Sequence, residues 1–352
     1  MEEPDAAEFP YRKGLQLTIK AHVPPGPFGL GFQQKCVPRP GFTPKYEKKL
    51  DWCLKHSPVE TEPPENTVVR TLHITEEIAC KPYRSAQVVG CYLDGVTERL
   101  FVAKIYDALW YNSNTDDVTL CSDSRYSREA AAYEAIQKVR LDGIYSPQYH
   151  GSWAFDLPVP GRENLTRPVR MTITEKIDGL SQYDVLNMNL TSRIPPKDRL
   201  EILAITAEIW SELEYYGIRH NDMAPRNVML EELNLKDPAM YKLPKIYLID
   251  FETSHLLYHK DSERRPGLEG SSPRHPKYWL GKYCPEEWLA WVPEPQRSDP
   301  DAWKSWVLQL WDDAEYTKVE FLEDSSWKDY KLDSKPESKN AAIPTVESPR
   351  AR

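Results

Sequence analysis

Residues 217–254 read GIRHNDMAPRNVMLEELNLKDPAMYKLPKIYLIDFETS. Three oxygen-bearing side chains stand out in this stretch: Asp222, Asn227, and Asp250 directly after Leu248-Ile249. Carboxylate and carboxamide oxygens are the donors a hard cation such as Mg²⁺ takes, and a fixed carboxylate can orient an attacking hydroxyl. Upstream, Ile202, Ile205, Ile209, Leu213 and Tyr216 recur at three- and four-residue steps. That period predicts an amphipathic helix, closed by Gly217, the residue type that best tolerates a left-handed terminus. Asp198 with Glu201 three residues on, behind Pro195-Pro196, predicts a capping box at its start.

The chain has 352 residues, enough for one two-lobed domain or two small ones. Its formal net charge of −9 argues against a general binder of nucleic acid or anionic membrane. The start, Met1-Glu2-Glu3-Pro4-Asp5, has neither the basic nor the apolar region of a signal peptide, and no apolar run is long enough to span a bilayer. The six cysteines are scattered without a Cys-x-x-Cys pair, which predicts reduced thiols. A cytoplasmic or nuclear location follows as the expectation.

Residues 1–66 hold 11 of the 31 prolines, so long helices are not expected there. The stretch predicts an extension rather than a domain, with one short docking element at 46–54 around Leu50, Trp52 and Leu54. From Thr67 the texture becomes strand-like: Val68-Val69, Leu72 and Ile74, then 86–92, a turn at Asp94-Gly95, and 100–106 carrying Lys104. The plainer alternative for Lys104 is a solvent-facing lysine on an alternating strand. Ser127 predicts a cap for a helix over 128–139. Residues 169–177 alternate apolar and polar, a half-buried strand leading to Asp178-Gly179. His255 and His259 stand at i, i+4, a metal-ligand spacing, but no third ligand accompanies them.

The order strand-lysine, helix, strand and turn, long helix, His220-x-Asp222, Asp250-Phe251 resembles the protein-kinase-like superfamily. Within it the chain is similar to small, divergent fungal-type proteins with HxDxxPRN and LIDF motifs. The resemblance covers roughly residues 67–310. It implies an α+β bilobal fold: an N-lobe over 67–177, with a small antiparallel sheet plus one helix, and a mainly helical, shortened C-lobe over 178–331. Residues 332–352 are polar and read as a disordered tail.

The resemblance also implies MgATP-dependent phosphoryl transfer to a hydroxyl. Asp222 would orient the acceptor, and Asn227 and Asp250 would hold Mg²⁺. Lys104 would grip the phosphates while paired to a helix glutamate, and the backbone of Glu175 and Ile177 would bond the adenine edge. Glu129 and Glu134 both compete for Lys104. Glu129 shares a face with Tyr133 and Ile136, whereas Glu134 lies about 140° away at roughly 100° per residue, so Glu129 is the choice. His220 is expected to pack the loop rather than act as a base.

Several positions depart from the family pattern. Ala224 stands where many serine/threonine kinases have lysine, and Arg226 offers the cation instead, as in tyrosine kinases. Asn221 replaces the arginine that binds an activating phosphate, so activity should not depend on one. Glu252 replaces the glycine after Asp250-Phe251; it either adds a ligand or repels phosphate. The 22 residues between Asn227 and Asp250 predict an inserted turn around 233–244. The lid turn at 80–86 lacks glycine altogether, leaving Lys81 and Arg84 to reach phosphate or leaving the lid poor. Protein and small-molecule acceptors both remain open, as does the oligomeric state. A catalytically silent scaffold is the rival from another class.

Overall fold

The computed structural model describes residues 9–32, 48–112, 117–159, 161–235, 241–262, 272–281, 284–311 and 316. It is α+β, with an antiparallel sheet and several helices. The chain divides into two compact units, Met1–Glu134 with Gln148–Lys176, and Ala135–Pro147 with Ile177–Arg352. The expected tail at 332–352 and part of the expected insert, 236–240, lie outside the described residues.

In the first unit six antiparallel strands close into a barrel. They are β1 (Gln16–Ala21), β2 (Val69–Ala79), β3 (Gln87–Leu93), β4 (Val96–Tyr106), β5 (Tyr149–Val159) and β6 (Arg162–Glu175), in the order β1-β2-β3-β4-β6-β5. β1 closes the ring, pairing Leu17 with Leu72 on one side and Lys20 with Ala154 on the other. This strand lies inside the stretch expected to be an extension. Its alternation was there to see: in QLTIKA, Leu17 and Ile19 are buried while Gln16, Thr18 and Lys20 face solvent. The surrounding prolines hid it. A short helix, α1 (Lys49–Lys55), buries Trp52 within the same stretch.

Asp94 and Gly95 join β3 to β4 with φ of 53° and 78°, the paired left-handed conformation of a tight hairpin. The barrel interior is filled by alternate residues of each strand, among them Ile19, Leu72, Val89, Ala103 and Met171, all fully buried. Helix α2 (Val118–Lys138) starts earlier than its expected cap at Ser127. Asp117 caps it instead, accepting from the Leu120 N–H at 3.0 Å. Ser127 is interior, its hydroxyl donating back to the Ser124 carbonyl at 3.0 Å.

One buried charge knots this unit. Asp107 follows β4, and its carboxylate takes both ends of the Arg167 guanidinium from β6 (Nη2–Oδ2 2.7 Å). The Tyr11 hydroxyl, ahead of β1, donates to the same carboxylate at 2.5 Å. Burial, then the charge of Asp107, pushes the Tyr11 phenol well above its ordinary value, so it stays a donor.

In the second unit β7 (Gly179–Ser181) leads into α3 (Gln182–Asn187), capped by a Ser181–Asp184 box. Helix α4 (Pro196–Tyr215) follows, and its apolar stripe includes fully buried Ile202 and Leu213. It starts ahead of the expected Asp198 box. Pro196 takes the first helical position, where a missing N–H costs nothing, and no side chain caps the end. Gly217 (φ 83°) turns the chain out of α4, and a Cβ there would stand 2.3 Å from the Tyr258 ring.

Then come β8 (Ile218–Arg219), β9 (Val228–Glu231), β10 (Lys245–Leu248) and β11 (His255–Leu256), with sheets β10-β9-β7 and β11-β8. Helices α5 (Lys277–Leu280) and α6 (Pro300–Gln309) complete the unit. No helix among the described residues is long and apolar enough to cross a membrane.

Two outcomes test this unit structure. Arg167→Leu strands Asp107 in the interior and should cost about 3–5 kcal/mol in chemical denaturation, as breaking a buried pair does. His22 gives a pH signature: burial, then the charge of Arg170, pushes its imidazole down from 6.5 to about 4. Between those values the unfolded chain takes up a proton that the folded chain refuses. Its stabilising contribution is therefore complete above about 6.5 and lost as pH falls through about 4. Melting midpoints should fall more steeply over that window in the wild type than in His22→Gln.

Candidate functional site

Lys104 lies on β4, in register with Val88 on β3 and Thr172 on β6. Its Nζ meets Glu129 Oε2 of α2 at 2.6 Å, with the two side chains 13% and 3% exposed. A pair this enclosed gives up most of its hydration, so its geometry has to be held by the surroundings. Glu134, on the same helix, is exposed.

Glu175 ends β6. Its backbone N–H already donates to the Gln148 carbonyl at 2.9 Å, and its carboxylate accepts from the Gln148 N–H at 2.7 Å. With its N–H engaged, the backbone group Glu175 has left to offer a ligand is its carbonyl. Ile177 begins the second unit and is buried. In the turn between β2 and β3, Lys81 and Arg84 are exposed and Tyr83 sits at φ 64°. The Lys81 N–H is spent on Gln87 Oε1 at 2.9 Å.

In the second unit the loop after β8 is built around His220, which is fully buried. Its Nδ1 accepts from the Asp222 N–H at 3.3 Å, so the proton sits on Nε2, which donates to the Ile249 carbonyl at 2.9 Å. The imidazole thus ties Asp222 to the residue preceding Asp250. Asn221 adopts φ 63°, a conformation asparagine tolerates better than most residues, and donates from Nδ2 to the Thr253 carbonyl at 3.0 Å. Thr253 Oγ1 returns a bond to the His220 carbonyl at 3.1 Å. Pairing of His255 with Arg219 and of Leu256 with Ile218 continues the tie.

Asn227 is 2% exposed and donates through Nδ2 to both the Asp222 carbonyl (2.9 Å) and Asp222 Oδ2 (2.8 Å). Both partners are acceptors, so the amide NH₂ must face them and its oxygen must point away. Arg226 Nη2 bonds the other oxygen, Asp222 Oδ1, at 2.6 Å. Asp250 itself sits at φ 67°, ψ 65°, a strained conformation for a non-glycine residue, followed by buried Phe251 and Glu252 in a 3₁₀ turn. The Ile249 N–H donates to the Asn227 carbonyl at 3.0 Å, fixing the two loops to each other.

The structure therefore brings together Lys104 with Glu129 in one unit. In the other it joins Asp222, Arg226 and Asn227, with Asp250 one residue beyond a shared backbone bond. His255 and His259 are not a pair: His255 Nε2 bonds Ser262 Oγ at 2.6 Å, and His259 lies 3.8 Å from Asp261. The contact of Asn221 with Thr253 was not foreseen. Its only signal was an asparagine at a position needing a left-handed backbone.

No family model matches this sequence, and no curated protein matches it. Among solved structures the chain is similar to the crystal structure of a double mutant of the PknI kinase domain from Mycobacterium tuberculosis. The identity is 15% and the TM-score 0.34, over 52% of this chain and 61% of that one. The match thus spans less than two thirds of that domain.

The Asp222–Asn227 contact can be tested without any ligand. Asn227→Asp replaces two donated bonds with a carboxylate facing another, at an expected cost of about 1–3 kcal/mol at neutral pH. One of the two facing carboxyls would then hold a proton more tightly folded than unfolded, so the deficit should shrink as pH falls. Melting midpoints of variant and wild type at pH 7 and pH 5 check this; a gap that does not narrow would contradict it.

Proposed function

We propose that the protein is an ATP- and Mg²⁺-dependent phosphotransferase of the protein-kinase-like superfamily, acting on a hydroxyl of a protein or small molecule. The observation that carries this reading is the orientation of Asn227. Its NH₂ is occupied by the backbone carbonyl and Oδ2 of Asp222, which turns the amide oxygen outward as a donor of the kind Mg²⁺ accepts. Asp250, on a strained backbone, adds a carboxylate, and an all-oxygen donor set fits Mg²⁺. MgATP when bound supplies the phosphoryl group and the ion that offsets its charge.

Roles divide by residue. Asp222 orients the acceptor hydroxyl and is itself held by Arg226 and Asn227, while Asn227 and Asp250 hold the cation. Lys104, fixed by Glu129, holds phosphate oxygens, and the Glu175 carbonyl with the Ile177 backbone bonds the adenine edge. Positioning and fixed charge supply most of the acceleration in such chemistry. Because Asn221 is committed to the Thr253 carbonyl, the turn after Asp250 is held without a phosphate.

The rival reading is a binding or scaffolding module. It is favoured by the turn at 80–86, which has no glycine and spends the Lys81 N–H on Gln87 rather than on a ligand. A thermal-shift titration separates the two. On the phosphotransfer reading, ATP raises the melting midpoint in a Mg²⁺-dependent way, and the Mg²⁺-dependent part is lost in Asp250→Asn. No shift at millimolar nucleotide leaves the scaffold.

A further inference from the structure

We infer that the N-terminal segment, residues 22–32 and 52–61, is a strap that fixes helix α2 in rotation and thereby holds Glu129 against Lys104. Arg128, the residue before Glu129, is buried and donates from Nη1 to the Phe28 carbonyl at 2.8 Å. The chain doubles back there: Gly29, Leu30 and Gly31 all have positive φ, and the Phe32 N–H returns to the Gly29 carbonyl at 3.1 Å. Phe28 and Phe32 are thereby buried while Leu30 points outward. Gly29 lies so close that a Cβ would stand 3.1 Å from Arg128 Nη1 and 3.8 Å from Ser124 Cβ.

Three further contacts reach the same helix. The Tyr126 hydroxyl bonds His22 Nδ1 at 2.6 Å, and His22 Nε2 lies 3.4 Å from Thr61 Oγ1. The Val59 N–H donates to Asp123 Oδ2 at 2.7 Å. Trp52 Nε1 donates to Asp117 Oδ1, the oxygen that caps the helix, at 3.2 Å.

At roughly 100° per residue, Arg128 points about 100° to one side of Glu129, and Tyr126 and Asp123 about 60° and 120° to the other. A helix gripped at one azimuth can still roll. Gripped at these three it cannot, and the azimuth left is the one that aims Glu129 at Lys104. Arg128 is thus a positioning residue that acts through Glu129. The consequence for phosphate binding rests on the phosphotransfer reading; the positioning itself does not.

The test reads Lys104 directly, without nucleotide. Its side chain is 13% exposed and its ammonium is engaged by Glu129, which shields it from amine-labelling reagents. In the full-length chain, labelling of Lys104 is followed by mass spectrometry for wild type, Arg128→Met, Glu129→Gln and the double variant. Tyr126→Phe, which deletes one hydroxyl, serves as a gentler probe of the strap should Arg128→Met fail to fold. The strap predicts a several-fold rise in Lys104 labelling in Arg128→Met and a smaller one in Tyr126→Phe. It also predicts no further rise when Arg128→Met is added to Glu129→Gln, because both act on one contact. Unchanged Lys104 labelling in the folded strap variants, or a rise that adds to that of Glu129→Gln, overturns the proposal. A wild type that fails to bind MgATP would sink the phosphotransfer reading and leave this result standing.

Discussion

A carboxylate buried where water cannot reach it must be answered by the protein, and Asp107 is answered from two directions. Arg167 reaches it from β6 and Tyr11 from the segment ahead of β1. Leaving such a charge partly paired is far more costly than any surface contact can offset. The barrel therefore closes around it, and the chain ahead of β1 is drawn in with the strands. Phe9 packs edge-on against Trp110 just beyond Asp107, so apolar packing follows the ionic contact. Once β1 is in place the sheet has no free edge, and its interior fills at alternate positions.

The second unit relies on a different device, backbone conformations that are unfavourable on their own. Asn221 and Asp250 both adopt positive φ, and neither is glycine. Strain of this kind persists only where neighbours over-determine it. Here His220 bridges the two loops through both ring nitrogens, Asn221 donates to the Thr253 carbonyl, and Thr253 Oγ1 donates to the His220 carbonyl. The result is an Asp222 carboxylate with each oxygen committed, one to Arg226 and one to Asn227. A loop so cross-tied presents its polar groups in one arrangement, as a preorganised site requires.

Much of this was legible from residue type and spacing. The hairpin at Asp94-Gly95, the long helix ending at Gly217 and the choice of Glu129 over Glu134 all follow from local stereochemistry and helical phase. Other features were not legible, for physical reasons. Asp117 as the cap of α2 was hidden because Ser127 is an equally good cap by type. Which of the two caps depends on what packs beside it, and Trp52, more than sixty residues away, bonds Asp117. The box at Asp198-Glu201 gave way to a start at Pro196, whose fixed φ suits the first helical position and which has no N–H to leave unpaired. β1 alternates plainly, but a six-residue strand has no meaning until its two partners are known.

The sequence by itself determined the local periods, the turn chemistry and the set of oxygen and nitrogen donors, because each depends on a few adjacent residues. It also showed that Lys104, Asp222, Asn227 and Asp250 occur in an order that resembles a known kind of site. Only the tertiary structure decided that β1 closes the barrel, that Asn221 holds Thr253, and that the segment around Phe28 grips α2 beside Glu129. Those outcomes join residues from 32 positions apart, as with Asn221 and Thr253, to more than 100, as with Lys20 and Ala154. No local propensity encodes such contacts. They are fixed by which buried polar groups find partners once the chain has collapsed.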